Sequence, residues 1–290
     1  VSKNADLAAV DASESLPEGT TLSRDKSDIK VMDTVATMNG VEYAQWSDIT
    51  STIAAVAKAD KNFAKTAVYN ITLSKELDAK GALKMPAANT FGELYIKSDA
   101  ADAQTIKFTG NLALTGKTTF ENVKLVSDSK GTAKDFTISA GKNELTLNSV
   151  TTEKSIKTIT SSGVVNLDRV TVGTVTAATV NVTKTNSEGA GAGAINDGEK
   201  TWEGKEVAAS SVTVTGNLTA KTALNLNGDN ASLTVKGVVN AMSIEAEKDT
   251  ATLAVYTQPK GKNALVIGKN GVTAASKSLQ FVLVDYTLGK

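Results

Sequence analysis

From about Ala67 to the C-terminus, short apolar runs alternate with Thr, Asn, Lys or Ser, and Gly, Asn or Asp closes each run. Leu94 and Ile96, Ile106 and Phe108, Leu112 and Leu114, Leu145 and Leu147, and Val212 and Val214 are the clearest pairs. A period of two buries one side of a strand and wets the other, so the core is filled by one face of many short strands. Three architectures satisfy that condition: a sandwich, a barrel, or a coil of parallel rungs.

How the runs follow one another separates these. A meander or sandwich places Asn-Gly or Asp-Gly turns between alternating runs, and here such pairs are few: Asn39-Gly40, Asp197-Gly198, Asn227-Gly228 and Asn270-Gly271. Neighbouring runs are instead joined through a recurring apolar-x-x-Val unit, seen as Phe120-Glu121-Asn122-Val123, Leu147-Asn148-Ser149-Val150 and Leu167-Asp168-Arg169-Val170. These copies start 27 and 20 residues apart, about one turn of a solenoid. The polar pair inside each suits a sharp corner, because short polar side chains bond the local backbone. A second echo, Thr109-Gly110-Asn111-Leu112 against Thr215-Gly216-Asn217-Leu218, recurs after 106 residues. The pattern predicts an all-β coil that stacks rung on rung over one apolar column, with an antiparallel β-sandwich as the alternative.

One amphipathic helix is predicted ahead of the coil, near 47–60. Ser47 reads as its N-cap, Asp48 sits where the helix dipole favours negative charge, and Ile49, Ile53, Val56 and Ala57 share one face. A coil has two open ends that invite aggregation, and a helix with one apolar stripe suits the covering of one of them; packing on a sandwich edge would use the same stripe. Residues 1–40 are polar, contain Pro17 and show no convincing apolar period to Lys30, so they are expected to form an N-terminal extension or tether. Residues 41–290 are expected to form one elongated domain, interrupted near 186–207 by an inserted flexible loop.

The segment Gly116-Lys117-Thr118-Thr119-Phe120-Glu121-Asn122-Val123-Lys124-Leu125 and its later relatives resemble the single-stranded right-handed parallel β-helix domains of bacterial surface proteins, the pectin-lyase-like shape. The resemblance covers roughly residues 66–290. It also takes in the block from Tyr43 to Leu73, where Trp46-Ser47-Asp48-Ile49 precedes Val68-Tyr69-Asn70-Ile71-Thr72-Leu73 as a capping helix precedes a first rung. It implies a right-handed coil, in keeping with the general hand of parallel crossovers, and a bacterial, extracellular or cell-surface setting. It transfers no catalytic residue, and the Asp-Asp dipeptide of the polygalacturonase relatives is absent.

Composition narrows the chemistry. The chain has no His and no Cys, which removes the usual base of a nucleophilic triad, thiolate metal sites and disulfides, and the commonest zinc ligand. Lys plus Arg and Asp plus Glu balance at 31 each, and Arg24 and Arg169 are the only arginines, so no nucleic-acid partner is expected. No stretch approaches the roughly 20 apolar residues of a membrane-spanning helix, and no signal-peptide pattern stands at Val1. No cofactor and no metal are expected. Aromatic residues make up only 4%, and Tyr43, Tyr69, Tyr95, Tyr256 and Tyr286 do not cluster, so a sugar-stacking platform is not signalled.

What remains is carboxylate, lysine and tyrosine chemistry. Glu245, Glu247 and Asp249 occupy every second position, which sets them on one strand face opposite Met242, Ile244 and Ala246; they read as a cation or catalytic groove, or as a solvated flank. Asp99 and Asp102 lack the further oxygen ligands of a calcium loop. Asp168 and Arg169 read as a corner salt link rather than a catalytic pair. Gly189-Ala190-Gly191-Ala192-Gly193 lacks phosphate-loop spacing. Nearby Trp202 is a candidate to stack on a sugar or anchor a partner, or to fold back over the coil. The Asn70, Asn181, Asn217 and Asn230 sequons arise readily by chance in an Asn- and Thr-rich chain, and the Thr-x-Thr pairs at 174 and 213 lack the strict register of an ice-binding array.

The expectation is a non-catalytic surface or adhesin-type domain, a monomer or part of a larger surface protein, whose flank or Trp202 loop meets a polysaccharide or surface protein. The alternatives are a polysaccharide lyase or glycoside hydrolase using surface carboxylates, and a structural spacer.

Overall fold

A computed structural model describes residues 34–78, 84–99, 102–183, 210–227, 230–246, 250–259, 262–274 and 279–285. The chain winds into a β-solenoid of about 7 turns. Each turn runs along three faces. The first face carries Val68–Leu73, Glu93–Ser98, Lys117–Glu121, Leu145–Asn148, Val164–Asp168 and then the second halves of Thr174–Val182, Leu218–Leu226, Val239–Ala246 and Leu265–Ala274. The second carries Gln104–Phe108, Val123–Asp128 and Thr151–Thr152, and later Val170–Val172, Ser211–Val214, Ser232–Val235, Ala251–Tyr256 and Leu279–Val284. The third carries Leu112–Ala113, Phe136–Gly141, Ile156–Ser161 and the first halves of the long strands.

Rung pairs with rung in parallel, which rules out the antiparallel sandwich. Among the described residues, antiparallel pairing occurs only where Ala36–Met38 meets Val41–Tyr43 and Val68–Leu73, and where Ala133–Lys134 meets Val123–Asp128. Register stacks like on like: Tyr69, Leu94, Thr118, Leu145, Val165, Val180, Leu224 and Ile244 form one inward column on the first face. All are buried, and each Leu or Ile in such a column contributes about 2 kcal/mol.

The apolar-x-x-Val unit is the corner between the first and second faces. Phe120 pairs with Leu147 and Leu147 with Leu167, so the three copies lie in register. The third residue of each takes positive φ: Asn122 at 48°, Ser149 at 52° and Arg169 at 48°. That left-handed turn redirects the chain within one residue and is costly for side chains other than Asn or Gly. The second echo is also structural. Leu112, Ile138, Ile159, Val175 and Leu218 form one column of the third face, and Asn111 and Asn217 each use Oδ1 to accept a backbone N–H of the next rung, from Thr137 and Val238, at 2.9 Å.

The helix, α1, spans Trp46–Ala59 and buries Trp46, Ile49, Ile53 and Ala57, the first three in one apolar cluster with the first rung's Tyr69, Ile71 and Leu73. Its N-cap lies two residues earlier than expected. Gln45, not Ser47, is the N-cap, and no side chain bonds there. Tertiary anchoring accounts for this, because buried Trp46 donates its indole N–H to Lys84 O at 2.9 Å and is held as the first helical residue. The strand Ala36–Met38, with Ala36 and Met38 buried, falls inside the segment read as a tether and already belongs to the coil's end.

Candidate functional site

The outward side of the first face is unusual because much of it is buried. Glu93, Tyr95, Thr119, Thr146, Asn148 and Asp168 alternate with core residues yet are less than a tenth exposed. The strand period points them away from the core, so their polar atoms must be satisfied along the flank.

Two chains of side-chain contacts do this. The first runs parallel to the coil axis. Lys117 Nζ lies 3.1 Å from Glu93 and 3.8 Å from Glu144. Glu144 accepts from Asn166 Nδ2 at 2.9 Å, Asn166 Oδ1 accepts from Asn181 Nδ2 at 2.7 Å, and Asn181 Oδ1 accepts from Asn225 Nδ2 at 2.8 Å. Paired register creates the amide ladder: Asn166 lies beside Asn181, Asn181 beside Asn225 and Asn225 beside Glu245. From Glu93 to Asn225 the run crosses five rung spacings, about 24 Å at the usual strand separation. Asn225 Oδ1 is buried with no partner.

The second chain lies at the corner. The Tyr95 hydroxyl donates to Glu121, which also accepts from Asn148 Nδ2 at 3.1 Å. Asn148 Oδ1 accepts from Arg169 Nη2 at 2.6 Å, and Arg169 grips the fully buried Asp168 with Nε at 3.2 Å and Nη2 at 3.1 Å. Burial pushes the Glu121 carboxyl above the ordinary carboxylate range, against the opposing pull of its hydrogen bonds. Burial, reinforced by the bond to Glu121 and nearby negative charge, holds the Tyr95 proton well above its ordinary value. Asp168 and Arg169 are thus a salt link at a corner, joined to a wider network.

Of the sites singled out in the sequence, Glu245 is half-buried on the first face, 3.4 Å from Ser243 Oγ and next in register to Asn225. Glu247, Asp249 and Trp202 lie outside the described residues. Met242 does not share a face with Ile244 and Ala246. Strand Val239–Ala246 shifts register between Ala241 and Ser243, where the third face becomes the first, so Met242 sits half-buried at the bend. Asp99 is exposed and pairs with Lys97 at 3.0 Å. Asp102 is also exposed. No group of three or more metal-ligating side chains occurs among the described residues.

Sequence reading missed the Glu121 and Asn166 networks. The signal was present in Asn166, Asn181 and Asn225, each flanked by Val or Leu on both sides, but spacings of 15 and 44 residues conceal their shared column. No protein-family model matches this chain, and no match emerges among curated proteins or among solved structures.

Proposed function

We propose that the chain is a non-catalytic, adhesin-type β-solenoid domain of a bacterial cell surface, whose first-face flank meets a polysaccharide or a protein of the host or envelope. One observation carries this reading: the titratable groups that converge on the flank are committed to one another. Arg169 is spent on Asp168 and Asn148, and Tyr95 on Glu121. A lyase base must give up its proton readily near neutral pH, whereas Tyr95 is shifted the opposite way. The amide ladder instead leaves Asn181 and Asn225 half-buried on adjacent rungs, each with one amide hydrogen beyond its ladder bond, a spacing suited to an extended polymer lying along the coil. Binding to a panel of immobilised glycans and envelope proteins tests this. The N181A/N225A chain should bind at least several-fold more weakly, and equal binding by the two would overturn the reading.

A second reading is an enzyme acting on polysaccharide. It is favoured by the gathering of Glu93, Glu121 and Glu144 with Lys117 and Tyr95 on one flank. Turnover of any acidic polysaccharide that is abolished by Tyr95→Phe or Lys117→Ala would put this reading ahead.

A further inference from the structure

The amide ladder of the first face has a direction. Asn166, Asn181 and Asn225 each turn Nδ2 toward the N-terminal end of the coil and Oδ1 toward the C-terminal end. Glu144 fixes that direction, because reversing the amides would set the Asn166 oxygen against a carboxylate. The hydrogen-bearing end of the ladder therefore meets Glu144, which Lys117 also serves at 3.8 Å. Its oxygen end meets Glu245, next in register to Asn225.

At that second end, acceptors gather without donors. Among the described residues nothing donates to Asn225 Oδ1 or to Asn227 Oδ1, two residues further on. Glu245 receives only a long contact from Ser243 Oγ, at 3.4 Å. No Lys or Arg among the described residues pairs with it, and its register neighbours Asn225 and Thr273 carry no charge. Three aligned amide dipoles and one carboxylate thus make a negative end on this flank with no cation to balance it. At the opposite end the Lys117 ammonium lies between Glu93 and Glu144. The Glu245 end lacks that counterpart.

We propose that this end of the flank seats a protonated amine of the ligand, and that the ligand is a polysaccharide carrying free amino groups. The proposal rests on the reading of the flank as a polymer-binding surface and names the polymer's chemistry. An ammonium fits because it brings only donors to a place that offers acceptors without partners. Half-buried Glu245 makes the contact, and the buried amide oxygens act on the amine through their dipoles. A hard metal ion asks for about six oxygen ligands or more, and no cluster of acids gathers among the described residues. A sugar chain suits the flank better than a protein, because protein interfaces centre on aromatic and other apolar side chains. The column Asn166, Asn181, Asn225, Glu245 and Thr273 contains none. Asn181 and Glu245 lie two rung spacings apart, about 10 Å, so one oligosaccharide can meet the spare amide hydrogens of Asn181 and Asn225 while its amine reaches Glu245.

Titration calorimetry of the full chain in mildly acidic buffer compares a glucosamine oligomer, its amines protonated, with its fully N-acetylated counterpart. The unaltered chain should bind the amine form at least about 10-fold more tightly, as a hydrogen bond to a charged group contributes, and added salt should narrow the gap. Glu245→Gln keeps the size of the side chain and removes its charge, so the two oligomers should then bind alike. Glu153→Gln removes an exposed acid paired with Lys124 beside the second-face strand Thr151–Thr152, and it should leave the preference intact. Equal affinity of the unaltered chain for the two forms would overturn the proposal, as would binding of neither or a preference that survives Glu245→Gln. The flank is tested apart from the amine, because N181A/N225A should weaken both forms together. If it does so while the unaltered chain binds the two forms equally, the amine falls and the polymer-binding flank stands.

Discussion

At the scale of single residues, the corner network holds two unlike acids. Asp168 is fully buried and its charge is matched by Arg169. Removing that partner leaves a desolvated carboxylate, so Arg169→Ala should cost about 3 kcal/mol in urea unfolding. Adding Asp168→Asn should recover part of the loss, because the amide has no charge to compensate. Glu121 is the reverse case: its folded value lies above the ordinary 4.5, so the folded chain binds that proton more tightly than the unfolded chain. The stability this adds is complete below 4.5 and is lost as pH rises through the folded value. Glu121→Gln should remove that decline while keeping an acceptor for Tyr95 and Asn148, and urea midpoints taken at steps upward from pH 4.5 measure it. Sequence alone showed Asp168 and Arg169 as a corner pair. It could not show that Glu121 and Asn148 join them, because that contact exists only once rungs of 27 and 20 residues are stacked.

At the scale of elements, stacking demands close approach at the turns between faces, and glycines supply it in two ways. A Cβ on Gly173, between the second and third faces, would fall 2.1 Å from Lys157 O and 2.7 Å from Lys157 C, where Gly173 N–H already donates to Ile156 O at 2.7 Å. Backbone cannot yield as a side chain end does, so Gly173→Ala should cost about 3 kcal/mol or force two rungs apart. Gly110, at φ +78°, has nothing within 4 Å of such a Cβ, and Gly110→Ala should cost only about 1 kcal/mol, the strain of the left-handed turn. Thermal unfolding of the pair should show this ranking. In the sequence both glycines look like turn punctuation, and only the neighbouring rung tells contact from conformation. Strand faces were legible because alternation is local. The bend at Met242 was not, because a corner inside an unbroken strand leaves the apolar and polar order almost unchanged.

For the whole molecule, a solenoid divides its stability among contacts between neighbouring rungs, so damage at one end need not reach the other. The helix stripe of Ile49, Ile53, Val56 and Ala57 was legible at helical spacing, with Val56 only half-buried in the fold, but its place over the first rung was one of two readings, since packing on a sandwich edge would use the same stripe. The exposure of Phe281 and Leu283 in the last described strand was not legible, since they read like any other strand of the coil. The cap makes a sharp prediction. Ile53 is fully buried between α1 and the first rung, and a carboxylate there without a partner costs several kcal/mol. Ile53→Asp should therefore lift α1 away and leave most rungs paired. In a Trp202→Phe background the fluorescence of Trp46 should shift to the red, as its ring and its bond to Lys84 O are exposed. The far-ultraviolet strand signal should persist, and mass should rise with concentration as bare first-rung core becomes sticky. Loss of the strand signal together with the fluorescence change would mean that helix and coil unfold as one unit, and α1 would then be part of the core's cooperative fold and not a separable cap.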